Sequence, residues 1–302
     1  MKSLIRCSRA PLSFLSALPT ARLLIAGPLV AGSLIVRSLI VGSLIVGSLV
    51  AVSLIAGPAL DVHAKTVTEV VTYEHDGTTL EGFLAYDDAV SGRRPGVLIV
   101  HQWMGLTENE RMRARMLAGL GYVAFAADVY GAGVRPQNTS EAGSQASKYR
   151  SDRAFFRERM AAGLDVLEEH RLVDSDRLAA IGYCFGGGGV LELARSGAKV
   201  AGVVSFHGNL DTPDPKDAEA IEGRVLVCHG AADPHVSRES VLGFVDEMES
   251  AEVDYQLIMY GGAVHAFTQK EAGTDPSQGA AYDADADRRS WEHMRLFFAE
   301  IF

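Results

Sequence analysis

A chain of 302 residues, 48% apolar and 22% charged, is long enough for one large α/β domain. Its formal charge is −10. Setting aside residues 1–64 removes five of the 28 basic groups (Lys2, Arg6, Arg9, Arg22, Arg37) and one of the 38 acidic ones (Asp61), leaving 23 and 37, or about −14. A charge of that sign argues against nucleic acid or anionic lipid as a partner.

Residues 1–64 read as a segment apart from the domain at 65–302. The five basic residues precede or interrupt a long apolar tract in which serine recurs every five residues, at Ser33, Ser38, Ser43, Ser48 and Ser53. Five is neither a helical nor a strand period, so the repeat resembles sequence expansion rather than a solenoid. The tract ends at Val62-His63-Ala64, which suits a signal-peptidase site, so one reading is a secretory signal cleaved after Ala64. Another is a retained membrane anchor, because residues 38–60 are uncharged and long enough to span a bilayer. With the basic residues on the N-terminal side, either reading places the domain outside the cytoplasm, periplasmic or extracellular. A start codon set too far upstream is a third reading. Cys7 sits among basic residues and receives no role.

From Lys65 onward the chain alternates strands and helices. Thr66–Tyr73 and Leu80–Tyr86, joined through His75-Asp76-Gly77-Thr78, predict a β-hairpin. Val97–Val100 is a continuous apolar run, as in a strand buried on both faces, and empties into His101-Gln102-Trp103-Met104-Gly105. A helix over Asn109–Leu120 and a strand over Tyr122–Ala127 follow. Residues 132–148, rich in Gly, Ser, Gln and Asn, predict a long loop or lid, and Asp152–Glu169 a charged amphipathic helix. Further strands are expected at 177–183, 200–206, 225–229 and 254–259, with helices over 237–249 and about 288–302. This alternation implies a mainly parallel twisted sheet with helices on both faces and an antiparallel hairpin at its N-terminal edge. Cys184 and Cys228 read as free thiols, one in a glycine-flanked turn and the other in an apolar run.

Sheets of this kind carry their functional groups at the carboxyl ends of the strands. Gly182-Tyr183-Cys184-Phe185-Gly186 has the form of a nucleophile elbow, a turn so tight that only small residues fit around the nucleophile. Asp233, in His229-Gly230-Ala231-Ala232-Asp233, and His265, in Gly261-Gly262-Ala263-Val264-His265, follow later strands at spacings of 49 and 32 residues. A thiol needs an adjacent imidazole to populate its thiolate near neutral pH, and the imidazole needs a carboxylate to fix its tautomer. Cys184, Asp233 and His265 are therefore the candidate catalytic residues.

These segments, with Asp128-Val129-Tyr130-Gly131 and His265-Ala266-Phe267, resemble the dienelactone hydrolases, cysteine-using members of the α/β-hydrolase fold. The resemblance runs from about Thr66 to Phe302. It implies Cys184 as nucleophile, His265 as base, Asp233 as orienting acid and the backbone N–H groups of Phe185 and Trp103 as oxyanion hole. Two positions depart from the family. Gln102 stands where a glutamate usually meets the resting thiol, which favours a permanent Cys184–His265 ion pair. Gln269 stands where an arginine usually grips a substrate carboxylate; Arg150 or Arg153 is left to supply a cation. Gln102, Met104, Tyr130 and Phe267 are expected to wall the substrate pocket. His101, His207 and His229 stand at strand ends, where they either line the site or serve the structure. No cluster has metal-ligand spacing, the lysine of a phosphate-binding loop is missing, and no cofactor is expected. The expected protein is an exported monomer or weak dimer that cleaves a small ester or lactone through a Cys184 thioester. Thioester hydrolysis or acyl transfer at the same site, or an inactive ligand-binding module, are the rival readings.

Overall fold

A computed structural model describes residues 65–302, so the expectations placed on residues 1–64 lie outside the described residues. The domain is built on one eight-stranded sheet: β1 (Thr66–His75), β2 (Thr78–Asp87), β3 (Arg94–Val100), β4 (Val123–Ala127), β5 (Val173–Tyr183), β6 (Gly202–Phe206), β7 (Arg224–Gly230) and β8 (Tyr255–Tyr260). Its strand order is β1-β2-β4-β3-β5-β6-β7-β8. The β1–β2 hairpin pairs antiparallel with the rest through β4, and the other six strands run parallel. This is the expected α/β-hydrolase architecture.

The continuous apolar runs follow from burial on both faces. In β3, Leu98 and Val100 enter the core on one side of the sheet while Val97 and Ile99 enter the other. The first core is completed by α3 (Arg153–Glu168), through Phe156, Met160 and Leu164, and by α5 (Arg238–Ser250), through Phe244 and Met248. The second takes Leu117 from α1 (Glu108–Gly119) and Met294 and Phe298 from α6 (Ala284–Ile301). Each fully buried side chain of this size contributes about 1.5–3 kcal/mol relative to an exposed one. Capping fixes where helices start: Thr107 and Glu110 form a reciprocal capping box on α1. Asp283 caps α6, which begins at Ala284, four residues ahead of the expected start.

The stretch expected as a long loop is partly helical. Residues 139–151 form α2 (Thr139–Ser151), capped by Asn138, whose side chain accepts the Glu141 N–H. Its buried residues are Ala142, Ala146 and Tyr149, spaced four and three apart on one face. Two of the three are alanines, so the apolar stripe is nearly silent amid Gly, Ser and Gln. β5 likewise begins four residues early, because its first half carries Asp174 and Asp176 on a half-exposed segment. The register then aligns the C-terminal ends of the central strands, with Val100 opposite Gly182 and Tyr183 opposite Phe206.

Candidate active site

Cys184 follows β5 directly and precedes α4 (Phe185–Arg195), so the chain reverses within one residue. That residue has φ 53 and ψ −110, in the region L side chains seldom adopt. Its N–H donates to the Phe206 carbonyl at 3.0 Å, tying the turn to β6. The flanking glycines are sterically required. A Cβ on Gly182 would lie 2.0 Å from the Gly186 carbonyl oxygen, and one on Gly186 would lie 2.2 Å from that of Val100.

The loops after β7 and β8 bring the other two groups to the sulfur. His265 Nε2 lies 3.0 Å from Cys184 Sγ, and Nδ1 lies 2.8 Å from Asp233 Oδ2. The second Asp233 oxygen accepts the His235 N–H at 2.8 Å, which fixes the carboxylate plane. A parallel bridge to Ala280 holds the His265 backbone, its N–H donating to Gly279 and its carbonyl accepting from Ala281.

These contacts set the charges. Burial pushes the Cys184 thiol up, but the hydrogen bond and charge of His265 outweigh it, helped by Arg150 and the Phe185 N–H, and hold it below the usual thiol range. Burial disfavours the His265 imidazolium, yet hydrogen bonds to Asp233 and Cys184 raise it to about 10. Asp233 is lowered: burial opposes its charge and the hydrogen bond from His265 overrides that cost. Each of the three groups is shifted toward its charged form, the direction that a thiolate–imidazolium pair requires.

The sulfur opens into a cavity of about 610 Å³. Of the side chains expected there, Gln102 and Met104 line it. Gln102 Oε1 accepts the Met104 N–H at 2.9 Å, so its NH₂ end is the free one. Trp103 also lines the cavity, and its N–H has no protein acceptor among the described residues.

Tyr130 and Phe267 stand behind the wall instead. The Tyr130 hydroxyl donates to the Trp103 carbonyl at 3.0 Å, and its ring packs on His101 and Phe185. Phe267 is fully buried between His207 and Tyr260. Both are bulky apolar rings at strand ends, and the core claims them.

The opposite wall carries residues the sequence left unplaced. Arg150, near the end of α2, reaches the cavity and donates to Asn209 Oδ1 at 2.8 Å. Arg153 is spent on Glu192 and Asp211. Gln269 lines the same wall with its amide nitrogen buried and unpartnered. His235, two residues beyond Asp233, also lines the cavity; only its position in the Asp-Pro-His turn could have signalled it.

Of the strand-end histidines, His101 serves the structure. Its Nε2 accepts the Val129 N–H and its Nδ1–H donates to the Gln102 carbonyl. His229 is buried, and that burial lowers its basicity. Among the described residues no group of three His, Cys, Asp or Glu side chains could hold a metal ion.

Comparison with known proteins agrees with this architecture. A solved dienelactone hydrolase-like promiscuous phosphotriesterase from metagenomic libraries is 41% identical, covers 80% of this chain and 100% of its own, and superposes with a TM-score of 0.76. An uncharacterized protein of Caenorhabditis elegans is 39% identical over 147 residues, 48% of this chain and 92% of its own length. A Bradyrhizobium protein named as a probable 2-oxo-3-(5-oxofuran-2-ylidene)propanoate lactonase is 28% identical over 214 residues, 67% of this chain and 86% of its own. The dienelactone hydrolase family pattern matches residues 80–302. The chain belongs to the dienelactone hydrolase family and is an enzyme of its ester- and lactone-hydrolysing class.

Proposed function

We propose that the protein hydrolyses small esters or lactones through a thioester on Cys184. The observation that carries this reading is His265, hydrogen-bonded at once to Cys184 Sγ and Asp233 Oδ2 in the wall of a 610 Å³ cavity. The thiolate attacks the substrate carbonyl, and the N–H groups of Phe185 and Trp103 receive the oxyanion. Collapse of that intermediate breaks the bond to the leaving alkoxide, which takes the proton from His265 Nε2. In a lactone the alkoxide stays tethered to the acyl group. His265 then removes a proton from water, whose attack on the thioester carbonyl releases the acid and restores the thiolate.

Cys184→Ala and His265→Ala should each lower turnover of p-nitrophenyl acetate and of a dienelactone by about 10³-fold or more. Turnover surviving in Cys184→Ala would overturn the mechanism. The ratio of the two substrates in wild type reads how far Gln102 and Gln269 have moved specificity from the family pattern.

A second activity, hydrolysis of phosphotriesters, is supported by the metagenomic neighbour at 41% identity, which bears that activity in its name. Release of p-nitrophenolate from paraoxon by wild type and not by Cys184→Ala tests it. Export of the domain, proposed from the basic N-terminus, the apolar tract and Ala64, is checked by the N-terminal sequence of the mature protein.

A further inference from the structure

Five non-glycine residues of the described chain have positive φ, and two of them, Cys184 and His207, directly follow the neighbouring strands β5 and β6. The elbow accounts for Cys184. His207, at φ 41, takes no part in the chemistry above, yet the fold holds it in a conformation that residues with a Cβ seldom adopt. Its side chain is fully buried. Its ring meets His265 edge-to-face at 5.3 Å and Phe267 at 5.0 Å.

His207 is also anchored. Its N–H donates to the Cys228 carbonyl at 2.8 Å, and Nε2 hydrogen-bonds Thr268 Oγ1 at 2.8 Å. The Thr268 carbonyl accepts from Arg113 of α1, which pairs with Asp287 of α6 at 2.6 Å. The contact on His265 is thus referred back to two helices, α1 and α6, of the second core.

A mechanical need exists for such a contact. The hydrogen bonds at Nε2 and Nδ1 and the tethered backbone define one orientation of the His265 ring, and packing against its face limits excursions of the side-chain torsions away from it. His235 also touches His265, at 5.2 Å, but it is exposed and its ring makes no hydrogen bond among the described residues. His207 is the fixed neighbour.

We propose that His207 is a positioning residue: its anchored imidazole holds the His265 ring in the one tilt that reaches Cys184 Sγ and Asp233 Oδ2 together. The role rests on the reading of Cys184 and His265 given above. It also requires an uncharged ring, since a cation beside the His265 imidazolium would repel it. Burial holds His207 well below the usual imidazole value, and His265, Arg113 and His229 around it lower it further.

Two variants separate the ring from its anchor. His207→Phe keeps an aromatic ring against His265 and loses Thr268; His207→Gln keeps a partner for Thr268 and loses the ring. Aromatic contacts of this kind suggest that kcat on p-nitrophenyl acetate falls about tenfold in His207→Gln, with KM changed less than about twofold. The midpoint of the ultraviolet thiolate titration should rise with it. His207→Phe, which keeps the ring and loses the anchor, should lie between wild type and His207→Gln, within about threefold of wild type and with a smaller rise of the midpoint.

A folded His207→Gln with unaltered kcat and thiolate midpoint would overturn the proposal. So would equal losses in both variants that track thermal stability, which would mark His207 as core filling. If His207→Gln does not fold, His207→Leu takes its place, filling the space without an aromatic face, and the same loss of kcat and rise of the thiolate midpoint are expected. The thiolate signal is taken as the difference from Cys184→Ala. A wild type lacking that signal would refute the ion pair itself, whereas a pair indifferent to residue 207 would refute only this role.

Discussion

Two buried cysteines, one inside a strand and one just past a strand end, have thiols shifted in opposite directions. Cys228 lies inside β7, fully buried, with the Tyr260 hydroxyl 3.4 Å from its sulfur. Burial pushes its thiol up to about 12, against a small opposing effect of Tyr260. Cys184 is also buried, and burial pushes it upward too, but His265, Arg150 and the Phe185 N–H bring it below the ordinary range. Desolvation alone makes a cysteine inert. What sets Cys184 apart is its place one residue past the strand end, where a helix start and two loops converge.

The severest way to break this contrast is to remove what holds His265. Asp233→Asn keeps the size of the side chain but turns an acceptor of Nδ1–H into a group able to present NH₂, which favours the wrong tautomer. In related triads that change costs several orders of magnitude, so kcat on p-nitrophenyl acetate should fall about 10³-fold with little change in KM. A loss under tenfold would show that Asp233 does not orient the base.

Alkylation compares the two thiols directly. Iodoacetamide reacts with thiolate, so at neutral pH it should label Cys184 about 10²-fold faster than Cys228, read by peptide mass spectrometry. The pH dependence has a definite sign. Labelling of Cys184 should rise and level off at lower pH than that of an ordinary thiol and stay flat until His265 loses its proton at about 10. Labelling of Cys228 should still be rising there. Equal rates at neutral pH would refute the ion pair.

The same contrast explains what the sequence reveals. Strands β3, β4, β6, β7 and the second half of β5 are legible because burial on both faces demands continuous apolar runs. Cys184, Asp233 and His265 are legible because each follows a predicted strand in α/β-hydrolase order, and the structure brings all three within hydrogen-bond distance. The rest depends on contacts distant in sequence. α2 hides because two of its three buried residues are alanines. Arg150 and Asn209 face the cavity across 59 positions of chain, and His235 differs from an ordinary turn histidine only once the loops are folded. Tyr130 and Phe267 show the converse, since a bulky ring at a strand end fits a pocket wall and a core equally well on paper.

The smallest expected effect concerns Gln102. Gln102 lines the cavity with Cys184, and its Oε1 accepts the Met104 N–H. Gln102→Glu preserves that acceptor, so the loop should hold its shape, and adds one negative charge beside the thiolate. Like charge disfavours the charged form, so the acidic limb of the pH–kcat/KM profile should move upward. In a partly solvated cavity the shift should be about half a unit to one unit, lowering kcat/KM about three- to tenfold on that limb and little on the plateau. A limb that does not move would mean that Gln102 is too well screened from the sulfur to tune it. A shift larger than the His207→Gln effect would make the neutral amide, rather than the packing of His265, the stronger determinant of a resting thiolate.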